Sequence, residues 1–294
     1  MSNSILDLIG NTPLVESKVV NTNPKVKLLF KMEGHNPGGS VKDRAAYNMI
    51  SERLASGTIS KNSKLIEATS GNTGIALAMI AGIYGLDIEL VMPENSTKER
   101  VQTMRAYGAK VTLTPTDVGI EGARDYAEAK VNNEGFVSLN QFANDHNWMA
   151  HYKTTGPEIW KDTSGEITHF VSAMGTTGTI MGTSTYLKEQ NPEVQIVGVQ
   201  PTDGSKIPGI RKWPKEYLPK IFDPKKVDKV IEVSDVEARE MAKRLAKEES
   251  IFAGISSGGA AAAAVKLANT LDYGTIVSII CDRGDRYLSS DLFD

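Results

Sequence analysis

Short β-rich runs separated by helix-forming stretches of ten or more residues recur along most of this 294-residue chain, and few architectures accept that pattern. Strands are expected at 26–32, 64–68, 87–92, 110–114, 168–172, 194–200 and 275–281. Helices are expected at about 41–55, 73–84, 97–107, 119–133, 176–190, 235–249 and 257–270. Parallel strands need a crossover of this length between them, so the expected class is α/β with doubly wound parallel sheets. The run Thr275-Ile-Val-Ser-Ile-Ile-Cys is almost continuously apolar, as a strand covered on both faces must be. The length implies two domains. A polar stretch at 140–148 marks a domain junction, and the long Pro-, Gly- and Lys-containing segment 201–224 reads as a functional loop.

Composition narrows the function classes. Apolar residues make up 40% and charged residues 23%, the profile of an ordinary globular protein. A net charge of −3 gives no field favouring nucleic acid or an anionic membrane, and aromatics at 6% with no basic stripe give nucleic acid nothing to stack on. The single cysteine, Cys281, excludes an intrachain disulfide and a multi-cysteine metal site and fits a reducing compartment. His146 and His151 miss the i, i+4 spacing of two ligands on one helix face, so no metal is expected. No basic-then-apolar leader opens the chain. The longest nearly apolar segment, 75–86, falls well short of the ~20 residues a spanning helix needs. A cytoplasmic protein is expected.

Three glycine-rich loops open expected helices, each read as following a strand: Glu67-Ala-Thr-Ser-Gly-Asn-Thr-Gly, Met174-Gly-Thr-Thr-Gly-Thr and Gly254-Ile-Ser-Ser-Gly-Gly. Helix N-termini offer unpaired N–H groups and a positive dipole end, so each loop could hold an anion; each could equally be structural punctuation. Three together, dense in hydroxyls, point to a phosphate and a carboxylate. Neither G-x-G-x-x-G nor G-x-x-x-x-G-K-[ST] occurs, which disfavours a dinucleotide oxidoreductase. A fourth segment, Asn36-Pro-Gly-Gly-Ser-Val-Lys-Asp-Arg, sets Lys42 in the first turn of an expected helix. A random lysine is a solvated one. Beside a helix N-terminus, however, the dipole disfavours the ammonium and favours the neutral amine that Schiff-base chemistry uses.

These segments, with Gly10-Asn-Thr-Pro-Leu, resemble the signature set of the cysteine synthases (O-acetylserine sulfhydrylases), fold-type II pyridoxal-phosphate (PLP) enzymes. The resemblance runs in order from about residue 5 to 289. Gly175-Thr-Thr-Gly-Thr with its second Thr, Ile207-Pro-Gly-Ile-Arg-Lys-Trp-Pro and Ile280-Cys-Asp-Arg-Gly-Asp-Arg-Tyr-Leu-Ser are similar to the B-type group in particular. The resemblance implies a tryptophan synthase β-like fold with PLP in an interdomain cleft. It implies a smaller mobile domain at 35–145, a larger PLP-binding domain formed by 1–34 and 146–294, and a homodimer.

By resemblance Lys42 carries PLP as a Schiff base and then moves the Cα proton as general base and acid. Gly175, Thr176, Thr177, Gly178 and Thr179 would cradle the phosphate, and Asn72 would hydrogen-bond the ring hydroxyl. Thr69, Ser70, Thr73 and Gln141 would hold the amino-acid carboxylate. Ser256 would meet the pyridine nitrogen, where a hydroxyl favours prompt β-elimination over longer-lived carbanion chemistry; an ordinary N-cap is the other reading. The implied reaction takes O-acetyl-L-serine through α-aminoacrylate to L-cysteine with sulfide, or to S-sulfocysteine with thiosulfate, releasing acetate. Arg211 could bind thiosulfate or form part of a solvated rim. Lys212 stands where a second arginine is expected, and a lysine makes no bidentate fork. Cys281 is either a site residue or a packed strand residue. The same fold houses serine/threonine dehydratases, in which His is expected where Thr73 stands, and cystathionine synthases, which often carry an added segment. A non-catalytic binding protein is the alternative from another class, disfavoured by intact Lys42, Asn72 and Ser256.

Overall fold

The structure is a computed structural model that describes residues 3–69 and 71–294. Its regular elements run β1 (Leu14–Glu16), β2 (Val26–Met32), α1 (Lys42–Ala55), β3 (Lys64–Ala68), α2 (Asn72–Tyr84), β4 (Asp87–Pro93), α3 (Lys98–Ala106), β5 (Lys110–Thr114), α4 (Gly119–Glu134), β6 (Val137–Ser138), α5 (Asp145–Lys153), α6 (Thr155–Asp162), β7 (His169–Ala173), α7 (Gly178–Gln190), β8 (Gln195–Pro201), β9 (Lys229–Val233), α8 (Asp235–Glu249), α9 (Ile255–Ala268) and β10 (Gly274–Ile280). Two sheets result, in the orders β5-β4-β3-β6 and β1-β2-β10-β7-β8-β9. The first is parallel throughout; the second is parallel except for β1, which pairs antiparallel with β2 at the edge. The α/β class with parallel sheets is thus the one the sequence leads us to expect. Strand β2, early in the chain, lies beside β10, with Val26 opposite Gly274 and Met32 opposite Ile280, and so joins the sheet built mainly by the second half of the chain.

Apolar strands and helices account for the cores. Leu65, Ile66, Leu90 and Val91 are buried in the four-stranded sheet, and Phe30, Phe170, Val197, Val277 and Ile279 in the six-stranded one. The alanine run of α9 has a packing reason: a Cβ on Gly258 would collide with the Ala238 carbonyl of α8, so only small residues allow the two helices this approach. Against a clean hydrophobic period, Gly156 and Pro157 in the first turn of α6 hide that helix, although proline is well tolerated there. The polar stretch before it contains α5, whose start is capped by Asn144 accepting from the His146 N–H at 3.0 Å. Neither helix is among those expected from the sequence, nor are the short strands β1, β6 and β9.

One expectation needs correction. The loop at 254 does not follow a strand: α9 comes after α8, with only an isolated bridge between Ala253 and Arg283 beside it. Its N-terminus nevertheless reaches the carboxyl edge of the larger sheet, where Ser257 Oγ lies against Asp282, just past β10. The starts of α1, α2, α7 and α9 therefore gather beyond the carboxyl ends of β2, β3, β7 and β10, where ligands bind in open α/β sheets. Among the described residues no helix is long and apolar enough to cross a membrane.

Candidate active site

Lys42 is the first residue of α1; its N–H donates to Ser40 Oγ at 3.2 Å, and Val41 before it offers no capping side chain. The preceding loop is pinned to the end of β10 by an antiparallel bridge between Ser40 and Asp282 and by the Val41 N–H, which donates to the Cys281 carbonyl at 2.9 Å. Among the described residues the Lys42 ammonium has no hydrogen bond or ion pair. Burial pushes it below the ordinary lysine range, against the opposing pull of Cys281 and Asp282. Burial, and then the Asp282 charge, push the Cys281 thiol up to about 12, so Cys281 is a neutral neighbour. Its Sγ–H donates to the Ile279 carbonyl at 3.8 Å, and Ser256, a buried residue near the start of α9, neighbours it.

The loop between β7 and α7 is shaped for an anion. Thr177 takes a left-handed backbone, φ +69°, and its hydroxyl donates to the Thr176 carbonyl at 2.6 Å. No side chain caps α7, which leaves its first N–H groups for another acceptor. A Cβ on Gly175 would lie 2.6 Å from the Gly209 carbonyl oxygen, and one on Gly178 would collide with Asn147 Oδ1, so the loop closes only with glycine at both positions. Behind it Asn147 Nδ2 donates to Thr176 Oγ1 at 3.2 Å and to the Gln141 carbonyl at 2.7 Å. His151 is hydrogen-bonded to Thr179 Oγ1 at 3.3 Å and Thr155 Oγ1 at 2.8 Å. Burial holds His151 down to about 3, which keeps the imidazole neutral. In front, the Trp213 indole N–H donates to the Gly175 carbonyl at 2.7 Å, and the Arg211 N–H to the Met174 carbonyl at 2.8 Å.

At the start of α2, also without a side-chain cap, Thr73 Oγ1 donates to Gln141 Oε1 at 2.9 Å. Thr69 is buried and its hydroxyl accepts from the Gly71 N–H at 3.4 Å; Ser70, between them, lies outside the described residues. The Asn72 amide is held by Asp282 at 2.8 Å and Arg286 at 2.5 Å. The turn carrying Gln141 is organised by buried Glu67, whose carboxylate accepts from Ser138 Oγ and from the Leu139, Asn140 and Gln141 N–H groups. The structure therefore places Lys42, Asn72, Thr73, Gln141, the 175–179 loop and Ser256 around one edge of the two sheets. Lys212 points elsewhere, to Asp203 at 2.6 Å and Glu232 at 2.8 Å on the surface. Arg211 is exposed, with its guanidinium 5.8 Å from the Trp213 ring centroid.

Sequence reasoning missed Asn147 and His151 as supports of the loop. Their i, i+4 spacing would have exposed them had α5 been read as a helix.

An uncapped helix start, two enforced glycines, free hydroxyl lone pairs and a desolvated amine fit the phosphate and the aldehyde of PLP. The family model of pyridoxal-phosphate dependent enzymes matches residues 5–282. The chain is 57% identical over 292 residues to cysteine synthase B of Pseudomonas aeruginosa, covering 99% of this chain and 97% of the relative. To the Escherichia coli cysteine synthase B it is 53% identical over 285 residues, 97% of this chain and 94% of that one. The crystal structure of the Entamoeba histolytica cysteine synthase superposes with a TM-score of 0.93 at 36% identity, covering 100% of this chain and 91% of that chain.

Proposed function

Because the chain belongs to the pyridoxal-phosphate dependent enzymes, and within them to the cysteine synthase B type, we propose that it makes L-cysteine from O-acetyl-L-serine and sulfide by β-replacement, with release of acetate. The observation that carries this reading is Lys42: a desolvated amine without a partner among the described residues, set where four helix N-termini converge. PLP, when bound, supplies the electron sink that lets the substrate Cα proton leave. Lys42 would hold the cofactor through its amine, and that amine would move the Cα proton as base and then as acid. Gly175, Thr176, Thr177, Gly178 and Thr179 hold the phosphate; Thr176 and Thr179 aim hydroxyls backed by Asn147 and His151, whereas the Thr177 proton is already given to the backbone, so its amide serves instead. Asn72 meets the ring hydroxyl. Thr69, Ser70, Thr73 and Gln141 orient the substrate carboxylate, with the Thr73–Gln141 hydrogen bond fixing the pair. Ser256 would offer the ring nitrogen a hydroxyl, which would favour early departure of the acetate over slower carbanion chemistry.

The finer features belong to the same proposal. Residues 35–145 form the smaller domain and close on substrate over a larger one made of 1–34 and 146–294. The protein works as a homodimer in the cytoplasm. Thiosulfate serves as a second sulfur donor at Arg211, whose exposed guanidinium sits on the 207–213 segment that covers Gly175. Arg211→Ala should lower the rate with thiosulfate about tenfold while leaving the sulfide rate near wild type; equal loss with both removes that assignment.

Visible absorption of the purified protein with PLP tests the whole reading. A cofactor band should change on adding O-acetylserine and return on adding sulfide, with cysteine and acetate formed in equal amounts. A protein that takes up no PLP overturns it.

A further inference from the structure

We propose that Arg286 and Asp282 are positioning residues that lock the Asn72 side-chain amide in a single orientation and aim its remaining N–H at the cofactor's ring oxygen. The inference rests on the reading of Asn72 as a cofactor ligand and extends it. Arg286 NH1 donates to Asn72 Oδ1 at 2.5 Å, and Asn72 Nδ2 donates to Asp282 Oδ2 at 2.8 Å. A guanidinium has donors only. The Asp282 carboxylate acts here only as an acceptor, receiving Tyr287 Oη–H at 2.8 Å on Oδ2 and Ser257 Oγ–H at 3.2 Å on Oδ1. A flipped amide would set its NH2 against the guanidinium and its oxygen against the carboxylate. Arg286 is 8% exposed and Asp282 1%, so neither clash would be screened by water. One Asn72 N–H is left over, and the clamp fixes its direction.

The chain makes room for this clamp at some expense to its backbone. Gly39 adopts φ +81°, and a Cβ there would collide with the Arg286 guanidinium. A Cβ on Gly254 would lie 2.5 Å from Asp282 Oδ1 and collide with the Tyr287 ring. Two glycines from the loops before α1 and α9 thus accommodate the 282–287 segment. Arg286 also donates to the Gly38 carbonyl, in the loop that leads to Lys42. One guanidinium therefore ties Asn72, at the head of α2, to the loop before the reactive lysine.

The test compares holoenzymes of wild type, Asn72→Ala, Arg286→Met, Asp282→Asn and the Arg286→Met/Asn72→Ala double variant. The readouts are absorption and emission of bound PLP and its retention on dialysis. Arg286→Met should shift the spectrum in the same direction as Asn72→Ala and weaken PLP retention about tenfold, the worth of a lost charge-assisted hydrogen bond. Adding it to Asn72→Ala should leave the spectrum unchanged, because that readout passes through Asn72, whereas retention also feels the Gly38 contact. Arg286→Lys should restore part of the wild-type spectrum. The isosteric Asp282→Asn gives the same readout if Arg286→Met fails to fold. Additive spectral effects in the double variant, or wild-type spectra in variants that lose only thermal stability, overturn the proposal. A wild-type protein that binds no PLP removes the premise instead, and the clamp's role with it.

Discussion

Lys42 and Arg44 stand two positions apart in the first turn of α1, and the fold treats their charges in opposite ways. Arg44, 2% exposed, makes a bidentate pair with Glu33 at 2.7 Å through Nε and NH2, and a second with Glu158 at 2.6 and 2.7 Å. Glu158 also faces Lys31 at 2.9 Å, and Lys31 in turn donates to the Thr12 carbonyl at 2.7 Å. Burial alone would favour the neutral forms of Arg44, Glu33 and Glu158. Mutual attraction wins: Arg44 is held above its ordinary range, Glu33 below, and Glu158 down to about 2. At Lys42 no carboxylate makes an ion pair among the described residues, and burial wins instead. Between them Asp43, buried and holding the Gly38 N–H, is pushed by burial up to about 7. The contrast shows that desolvation is common to this helix end, and that the supply of carboxylates decides which cation is held up and which is pushed down. A more readily deprotonated amine is useful at one position only, and that position is the one without an ion-pair partner among the described residues.

The largest expected effect is on activity at the unpartnered site. Lys42→Ala should lower kcat by about a thousandfold or more, since it removes both attachment and proton transfer. Its urea midpoint without cofactor should match or exceed wild type, because a desolvated cation is gone. A stability loss like that of an Arg44 variant would break the contrast. Arg44→Met should cost about 3–5 kcal/mol in urea unfolding, since Glu33 would then be buried with its charge uncompensated. Loss of less than about 1 kcal/mol would mean that the cluster is not the structural half of the pair.

Glu158→Gln sharpens the same picture with a smaller effect, about 1–3 kcal/mol at neutral pH. The pH dependence follows from the direction of its shift. Its folded carboxyl is depressed from 4.5 to about 2, so its contribution is full above about 4.5 and is lost as pH falls through that window. The Gln variant should therefore lose less stability between pH 4.5 and 2 than wild type does. Parallel stability profiles of the two proteins would remove Glu158 as a charged partner of Arg44.

Much of the fold is legible before any coordinates. Strands such as β2, β3 and β5 are short β-rich runs, and the structure has them at 26–32, 64–68 and 110–114 as expected. The elements that escape are those whose signal is not local. Strand β6 is two residues long and exists because β3 lies beside it. Helices α5 and α6 are rich in Asn, His, Gly and Pro, and their burial comes from packing on α1 and α7. The candidate site residues come largely from glycine- and hydroxyl-rich loops, carried by contiguous sequence. Arg286 and Asp282 are the opposite case: their partner Asn72 lies 214 and 210 positions away.

By itself the sequence determined the alternation of elements, the glycine- and hydroxyl-rich loops and the place of Lys42 at a helix start, because hydrophobic period, turn chemistry and motif are properties of neighbouring residues. Tertiary structure alone decided the electrostatic state of each buried group. Lys42 and Arg44 share a helix turn, yet one is matched by Glu33 and Glu158 and the other by no carboxylate among the described residues. The reason is that desolvation and Coulomb attraction depend on distance in space, and Glu158 reaches Arg44 from 114 residues along the chain.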